Sequence, residues 1–312
     1  MKYVFGPVPS RRLGSSLGVN NIPMKYCSYS CVYCQVGKTT NLTVERRSFY
    51  DPSEVVAEVV SAVESYQGKI DYITFVPDGE PTLDMSLGKV IKGIKANTDK
   101  NVAVITNGSL IGSAYRDLFL ADLVSVKVDA CSEGTYRRVN RPHPDVSLPK
   151  VVGDWISFRK EYCGTMITET MLIDGLNDGE EDLQKTVEVV REIDPECAYL
   201  AIPVRPPFEP WVRPSSRITD AYEIFRANGI NVELLNFQEG IEFGTAGTED
   251  LLMGILNIIA VHPLREDYAR KILNGRWPPP DHVIGRLIGS GKVRRIRYNG
   301  RDYLILATSR PS

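Results

Sequence analysis

The chain is short of the features that would assign it quickly. It has no long hydrophobic run: the longest apolar stretch, Leu251 to Val261, is far too short to span a bilayer. Its opening, MKYVFGPVPSRR, contains no apolar segment of signal-peptide length, so the expected location is the cytoplasm, with no membrane partner. A net charge of −2 over 312 residues points to no particular partner. Histidine is scarce, and His143, His262 and His282 each have a proline beside or near them, which reads as loop or capping positions. There are six cysteines. In a reducing compartment these are better read as metal ligands or buried thiols than as three disulfides.

What is present is a long enough chain, 43% hydrophobic and 24% charged, to bury one large domain and a small one. The informative stretch is YCSYSCVYCQ, which gathers Cys27, Cys31 and Cys34 within eight residues, while Cys131, Cys163 and Cys197 stand singly. A structural zinc site wants four ligands, usually in two pairs, and no second pair or finger-spaced histidine follows. An electron-transfer cluster of the ferredoxin kind would show four local cysteines. Three thiolates on a four-iron four-sulfur cluster leave one iron without a protein ligand, which is the arrangement needed to bind and activate a small molecule.

Short β-branched runs alternate with helix-period stretches. Strands are expected near 16–22, 71–76, 102–106, 123–128, 165–173 and 198–203, with helices such as 52–66 and 180–193 between them. This alternation predicts an α/β fold with six parallel βα units. In parallel β/α barrels functional groups collect at the carboxyl ends of the strands. Those ends carry the cysteines, Gly79-Glu80-Pro81, Thr106-Asn107, Lys127 with Asp129, Glu169 and Arg205. Cys131 follows Asp129 closely enough to be a candidate of its own. Arg205, held among prolines, lies where a substrate anion could be bound, and Arg11 and Arg12 suit either an anion clamp or a surface ion pair.

The C-x-x-x-C-x-x-C spacing with Tyr33 before the last cysteine, followed in order by these segments, resembles the radical S-adenosylmethionine (SAM) enzymes. GPVPSRRLGSSLGVN, VPDGEPTLD, NRPHP, IPVRPP and AVHPLRED look like an uncharacterised group within them, distantly similar to the wyosine-forming tRNA enzyme. The resemblance spans roughly residues 14 to 240 and implies a partial (βα)6 TIM-like barrel. It implies Cys27, Cys31 and Cys34 as ligands of a 4Fe-4S cluster and Tyr33 packed near the adenine of SAM. The segment after the second strand, here Asp78-Gly79-Glu80-Pro81, would meet the cofactor's amino group, with aspartate where the family has its first glycine. Asn107 would meet the ribose or carboxylate; Lys127, Asp129 and Glu169 would serve cofactor or substrate. The implied chemistry is delivery of an electron from a reductant such as flavodoxin or ferredoxin, cleavage of SAM, and hydrogen abstraction by a 5′-deoxyadenosyl radical.

From residue 245 onward the balance changes to eleven Lys or Arg against six Asp or Glu. Three helices are expected, 249–261 with Thr248 as N-cap, 265–273 and 280–288, then a hairpin through Asn299-Gly300. This pattern looks like a winged-helix domain. The expected organisation is an N-terminal extension over 1–13, a barrel over 14–244 and the winged-helix-like domain over 245–312. Such a domain commonly meets nucleic acid, but can also bind peptides or serve only structure. Three uses stay open: an RNA or tRNA base-modifying enzyme, a peptide- or protein-modifying enzyme, and a cluster-bearing nucleic-acid-binding regulator without turnover.

Overall fold

The structure is a computed structural model and describes residues 2–236, 251–261, 263–274 and 278–307; the expected Thr248 cap and His262 lie outside these. The strands of the main sheet are β1 (Val4–Ser10), β2 (Gly14–Val19), β3 (Tyr72–Phe75), β4 (Asn101–Thr106), β5 (Leu123–Lys127), β6 (Thr165–Met171), β7 (Cys197–Ala201) and β8 (Val232–Leu235). They pair in sequence order, all neighbours parallel except the antiparallel β1–β2 pair. The sheet is thus the expected partial βα barrel, lengthened at both edges. The segment before the first expected unit supplies an antiparallel edge strand, β1, where Pro7 and Pro9 remove ladder donors at least cost. The four-residue β8 closes the opposite edge.

Helices α1 (Pro52–Ser65), α2 (Leu87–Asn97), α3 (Ile111–Leu118), α4 (Glu133–Val139), α5 (Leu148–Glu161), α6 (Glu180–Ile193) and α7 (Ile218–Ala227) connect the strands. Helix α1 shows why they form: Asp51 accepts the Ser53 N–H at 2.8 Å, Pro52 occupies the first turn, and Val55, Val59 and Ala62 make one buried stripe. Helix α6 opens on Glu180, Glu181 and Asp182 and ends in a left-handed Asp194. The helix-side core continues into Ile73, Phe75, Val102, Val104, Val124 and Val126. A smaller cluster of Leu13, Ala103, Leu123, Ile167 and Cys197 fills the other side of the sheet. A side chain links the sheet's two edges: Arg11, just after β1, donates to the Leu235 carbonyl at the end of β8, 2.6 Å away.

The C-terminal module has its own core. Helices α8 (Leu251–Val261), α9 (Glu266–Leu273) and α10 (Pro280–Gly289) pack Ile255, Ile258, Leu273, Ile284 and Leu287 against strands β9 (Leu264–Arg265), β10 (Val293–Tyr298) and β11 (Arg301–Leu306). The hairpin turns at Asn299 and Gly300, both with positive φ, as the tight turn requires. The expected two-stranded wing is a three-stranded sheet in the order β9-β11-β10, because Leu264–Arg265 add to β11. Contacts between module and barrel among the described residues include Val8 of β1, which joins the module's core, and Tyr298 and Tyr303, which donate hydroxyls to the carbonyls of Pro203 and Val204 at 2.8 and 3.1 Å.

Candidate active site at the mouth of the half-barrel

The cysteine loop is gripped from both sides by backbone. On one side Lys25 N–H bonds the Asp78 carbonyl and Glu80 N–H bonds the Tyr26 carbonyl, at 2.9 and 3.0 Å. Gly79 lies so close that a Cβ there would sit 1.8 Å from the Tyr26 oxygen, so no side chain fits. On the other side Ser30 and Val32 donate to Asn140 and Val139, and His143 donates its N–H to Ser28. The NRPHP segment thus acts here through its backbone and Asn140; His143 Nδ1 accepts the Asp145 N–H instead of facing a ligand.

Each sulfur of the triplet faces an N–H donor. Cys27 Sγ accepts from Tyr29 N–H at 3.5 Å and from the Asn107 side-chain amide at 3.6 Å. Cys31 Sγ accepts from the Asn140 amide at 3.6 Å, and Cys34 Sγ lies 3.7 Å from the Lys25 ammonium. Two of the isolated cysteines, Cys163 and Cys197, each donate to a carbonyl oxygen. Burial, reinforced by Glu80, pushes the Cys27 thiol up to about 12, and burial with the nearby Asp129 also raises Cys31. Half-buried thiols that face N–H donors suit metal-bound sulfur, because a metal removes the proton and the donors then meet thiolate charge. Among the described residues no three His, Cys, Asp or Glu side chains converge on a single ion. A four-iron cluster makes a different demand, one thiolate for each of three irons.

Asp129 is the hub behind the loop. Its Oδ2 accepts the Tyr33 hydroxyl and, at 2.8 Å, the same Asn140 amide that faces Cys31; its Oδ1 accepts Met171 N–H at 2.9 Å and lies 3.5 Å from Lys127 Nζ. Lys127 and Glu169 are register partners at the carboxyl ends of β5 and β6, which sets their ion pair at 2.6 Å. Arg12 pairs with the other Glu169 oxygen, and Lys127 sits 5.0 Å over the Tyr33 ring. Burial lowers the Lys127 ammonium, opposed by Asp129.

Glu80 is 1% exposed, and its carboxylate is already engaged. It accepts Thr82 N–H, the hydroxyls of Thr82 and Thr106, and Asn107 N–H. Burial raises its pKa against these bonds. Pro81 begins the short turn that this carboxylate caps. Asn107 turns its amide to Ser28 at 2.9 Å and to Cys27.

A cavity of about 270 Å³ opens beside the loop, lined by Cys31, Tyr33, Cys34, Lys127, Glu169 and Arg205, among others. Arg205 donates to Gln35 at 2.7 Å. Cys131 is not brought there: it packs against the helix-side core beside Thr186, and burial pushes it up to about 12. Cys163 is exposed although an isolated cysteine is expected to be buried; Cys197 is buried. Lys25 and Asn140 were not anticipated as site residues, since nothing in the spacing of the cysteines shows which donors the fold brings to them.

In the C-terminal module Arg265, Arg270, Arg295 and Arg297 are each paired with Asp267, Glu266, Asp281 or Asp302. Arg286, Lys292 and Arg301 are exposed, with no ion pair among the described residues.

Comparison with known proteins agrees with this geometry. No helix among the described residues is long and apolar enough to cross a membrane. The chain is similar to UPF0026 protein MJ1312 of Methanocaldococcus jannaschii, 43% identical over 310 residues that cover 97% of this chain and 95% of that protein. A probable dual-specificity RNA methyltransferase RlmN of Thermotoga maritima is 25% identical over 224 residues, 67% of this chain and 61% of that one. Among solved structures, Streptococcus suis SuiB bound to precursor peptide SuiA has a TM-score of 0.53 at 11% identity, covering 70% of this chain and 48% of that chain, a likeness of fold alone. The Radical SAM superfamily matches residues 21–189. The chain therefore belongs to the radical SAM superfamily, enzymes that use an iron–sulfur cluster and S-adenosylmethionine for radical chemistry.

Proposed function

We propose that Cys27, Cys31 and Cys34 hold a 4Fe-4S cluster and that the enzyme modifies a base of an RNA, a tRNA being the leading candidate in view of the resemblance to the wyosine-forming enzyme. The observation that carries the cluster assignment is the donor set: all three sulfurs face N–H groups, beside a cavity that Cys31 and Cys34 line. With cluster and SAM bound, reductive cleavage supplies a 5′-deoxyadenosyl radical that takes a hydrogen from the substrate.

The chain's own residues prepare that step. Asn107, Asn140 and Lys25 offset charge on the sulfurs, and Asp129 and Glu80 hold the first two in place. The cofactor contact expected of 78–81 falls to backbone, since the Glu80 carboxylate is engaged, and Tyr33 offers its ring to the adenine. Val76, Ile105, Met171 and Ile202 give the cavity walls that exclude water from a radical. Support for RNA comes from the name of the Thermotoga relative and from the exposed cations Arg286, Lys292 and Arg301 of a module that we read as a winged helix over 245–312. Salt-dependent binding of tRNA to the holoprotein tests this: affinity that falls steeply with salt supports it, and salt-independent or absent binding counts against it.

A peptide substrate is the second reading. It is favoured by β10, an outer strand of the module's sheet on which an added strand could pair.

A further inference from the structure

The segment after β7, PVRPPFEPWVRP, is stiffened by its prolines and still carries Trp211 at 50% exposure, next to fully buried Val212. One exposed apolar side chain needs no explanation by itself. What distinguishes Trp211 is that its ring is held in place without being covered. Its Nε1–H donates to Glu209 Oε2 at 3.2 Å. The other Glu209 oxygen accepts the Arg141 guanidinium, and the Glu209 N–H bonds the Val32 carbonyl at 3.2 Å. The Arg141 carbonyl in turn accepts Ser30 N–H, so both members of the Arg141–Glu209 pair are tied to the cysteine loop. Among the described residues no second ring stacks on the indole and no cation lies over it. The neighbouring Val212 packs with Val32, Val139 and Ile173, and Tyr33 and Met171 of the cavity wall lean on the same cluster. The open ring therefore stands one residue from the packing that supports the candidate active site.

Two exposed arginines adjoin it. Arg213 NH1 donates to the carbonyls of Pro210 and Val212. Arg138, in the last turn of α4, donates to the Leu176 carbonyl at 3.4 Å, and Leu176 packs on the cluster that contains Val212. Neither arginine is ion-paired among the described residues. Asp174, also exposed, gives its N–H to the Arg213 carbonyl, so charge alone does not select the partner of this face. The ring does. An indole with an open face binds by stacking, and every unpaired nucleotide supplies a planar base with phosphates on either side; a peptide supplies a ring only where an aromatic side chain falls. Base-paired RNA keeps its base faces stacked inside the helix, so the nucleotide must be unpaired.

We propose that Trp211 is a stacking platform for an unpaired nucleotide of the substrate, a neighbour of the one that enters the cavity, with Arg138 and Arg213 meeting its flanking phosphates. This rests on the RNA reading above and adds that the substrate is single-stranded where it meets the enzyme.

The test is fluorescence anisotropy of the reconstituted holoprotein at fixed salt with two end-labelled probes: a single-stranded oligoribonucleotide of mixed sequence, and an abasic oligonucleotide of the same length. The second keeps the phosphates and has nothing to stack. The wild type is expected to prefer the base-bearing probe by about tenfold. Trp211→Leu, which keeps an apolar side chain without a ring, should lose most of that preference, and Trp211→Phe should keep part of it. Loss of packing or stability would not sort the two variants by aromaticity. Arg213→Gln should weaken both probes severalfold and leave the preference between them in place. A preference that survives Trp211→Leu, or a wild type that binds both probes equally, overturns the platform while leaving the RNA reading standing. A wild type that binds neither probe strikes the RNA reading and the platform together, in favour of the peptide reading.

Discussion

The Lys25 ammonium lies 3.7 Å from the Cys34 sulfur, buried and tied to the Gly37 carbonyl at 2.6 Å. It is a fixed positive charge beside one of the proposed cluster ligands. A positive charge favours the reduced, more negative cluster. Lys25→Met should therefore lower the cluster's midpoint potential by on the order of 100 mV, as followed by redox titration with electron paramagnetic resonance. A potential unchanged or raised would remove Lys25 from this role.

Asp78 gives a pH dependence of stability. Burial pushes its carboxyl up to about 7, against the pull of Lys25 and the Asn20 amide, and among the described residues its Oδ1 has no hydrogen-bond partner. A raised carboxyl pKa favours the protonated folded state, so the stabilising contribution is full below the ordinary carboxylate range and is lost as pH rises through about 7. Asp78→Asn should therefore gain thermal stability over the wild type as pH goes from 5 to 8, by a few kcal/mol at most. Melting curves that stay parallel across that range would contradict this.

Gly79→Ala places a methyl against the Tyr26 carbonyl, and both partners are backbone, so neither yields cheaply. The expected cost is about 3 kcal/mol, with the cysteine loop displaced and iron incorporation reduced. Iron analysis after reconstitution, beside a melting curve, checks both; full incorporation at wild-type stability would show that the two segments separate easily.

Tyr298 and Tyr303 connect the C-terminal module to Pro203 and Val204, which line the candidate active site next to Arg205. The double change Tyr298→Phe with Tyr303→Phe removes about 1 kcal/mol per bond. Hydrogen exchange should rise at the amides of Val204 and Arg205 while α9 and α10 keep their protection. Unchanged exchange in that segment would mean that the module's packing alone holds it.

Much of this arrangement is legible in the chain because local chemistry and tertiary context agree. Asp51-Pro52 begins a helix and Asn299-Gly300 makes a hairpin whatever surrounds them, and six of the parallel strands announce themselves by short apolar runs. Strand β1 is hidden by its prolines, which only an edge position tolerates, and β8 by its length of four residues. The candidate site divides in the same way. Lys127, Asp129 and Glu169 are readable as strand-end residues, and the register that pairs Lys127 with Glu169 follows from that placement. Lys25 and Asn140 are not, because their roles come from backbone contacts that bring 139–143 and 78–80 onto the cysteine loop. Glu80 carries the reverse lesson: its place in the motif suggests a ligand contact, and its carboxylate is taken up by Thr82, Thr106 and Asn107.

The most direct measurement is anaerobic reconstitution with iron and sulfide, reduction with dithionite in the presence of SAM, and chromatography for 5′-deoxyadenosine. The wild type should take up about four irons per chain and release 5′-deoxyadenosine, and Cys31→Ala should do neither. A fully loaded wild type that never cleaves SAM, or a Cys31→Ala variant that cleaves it as well as the wild type, would contradict the account.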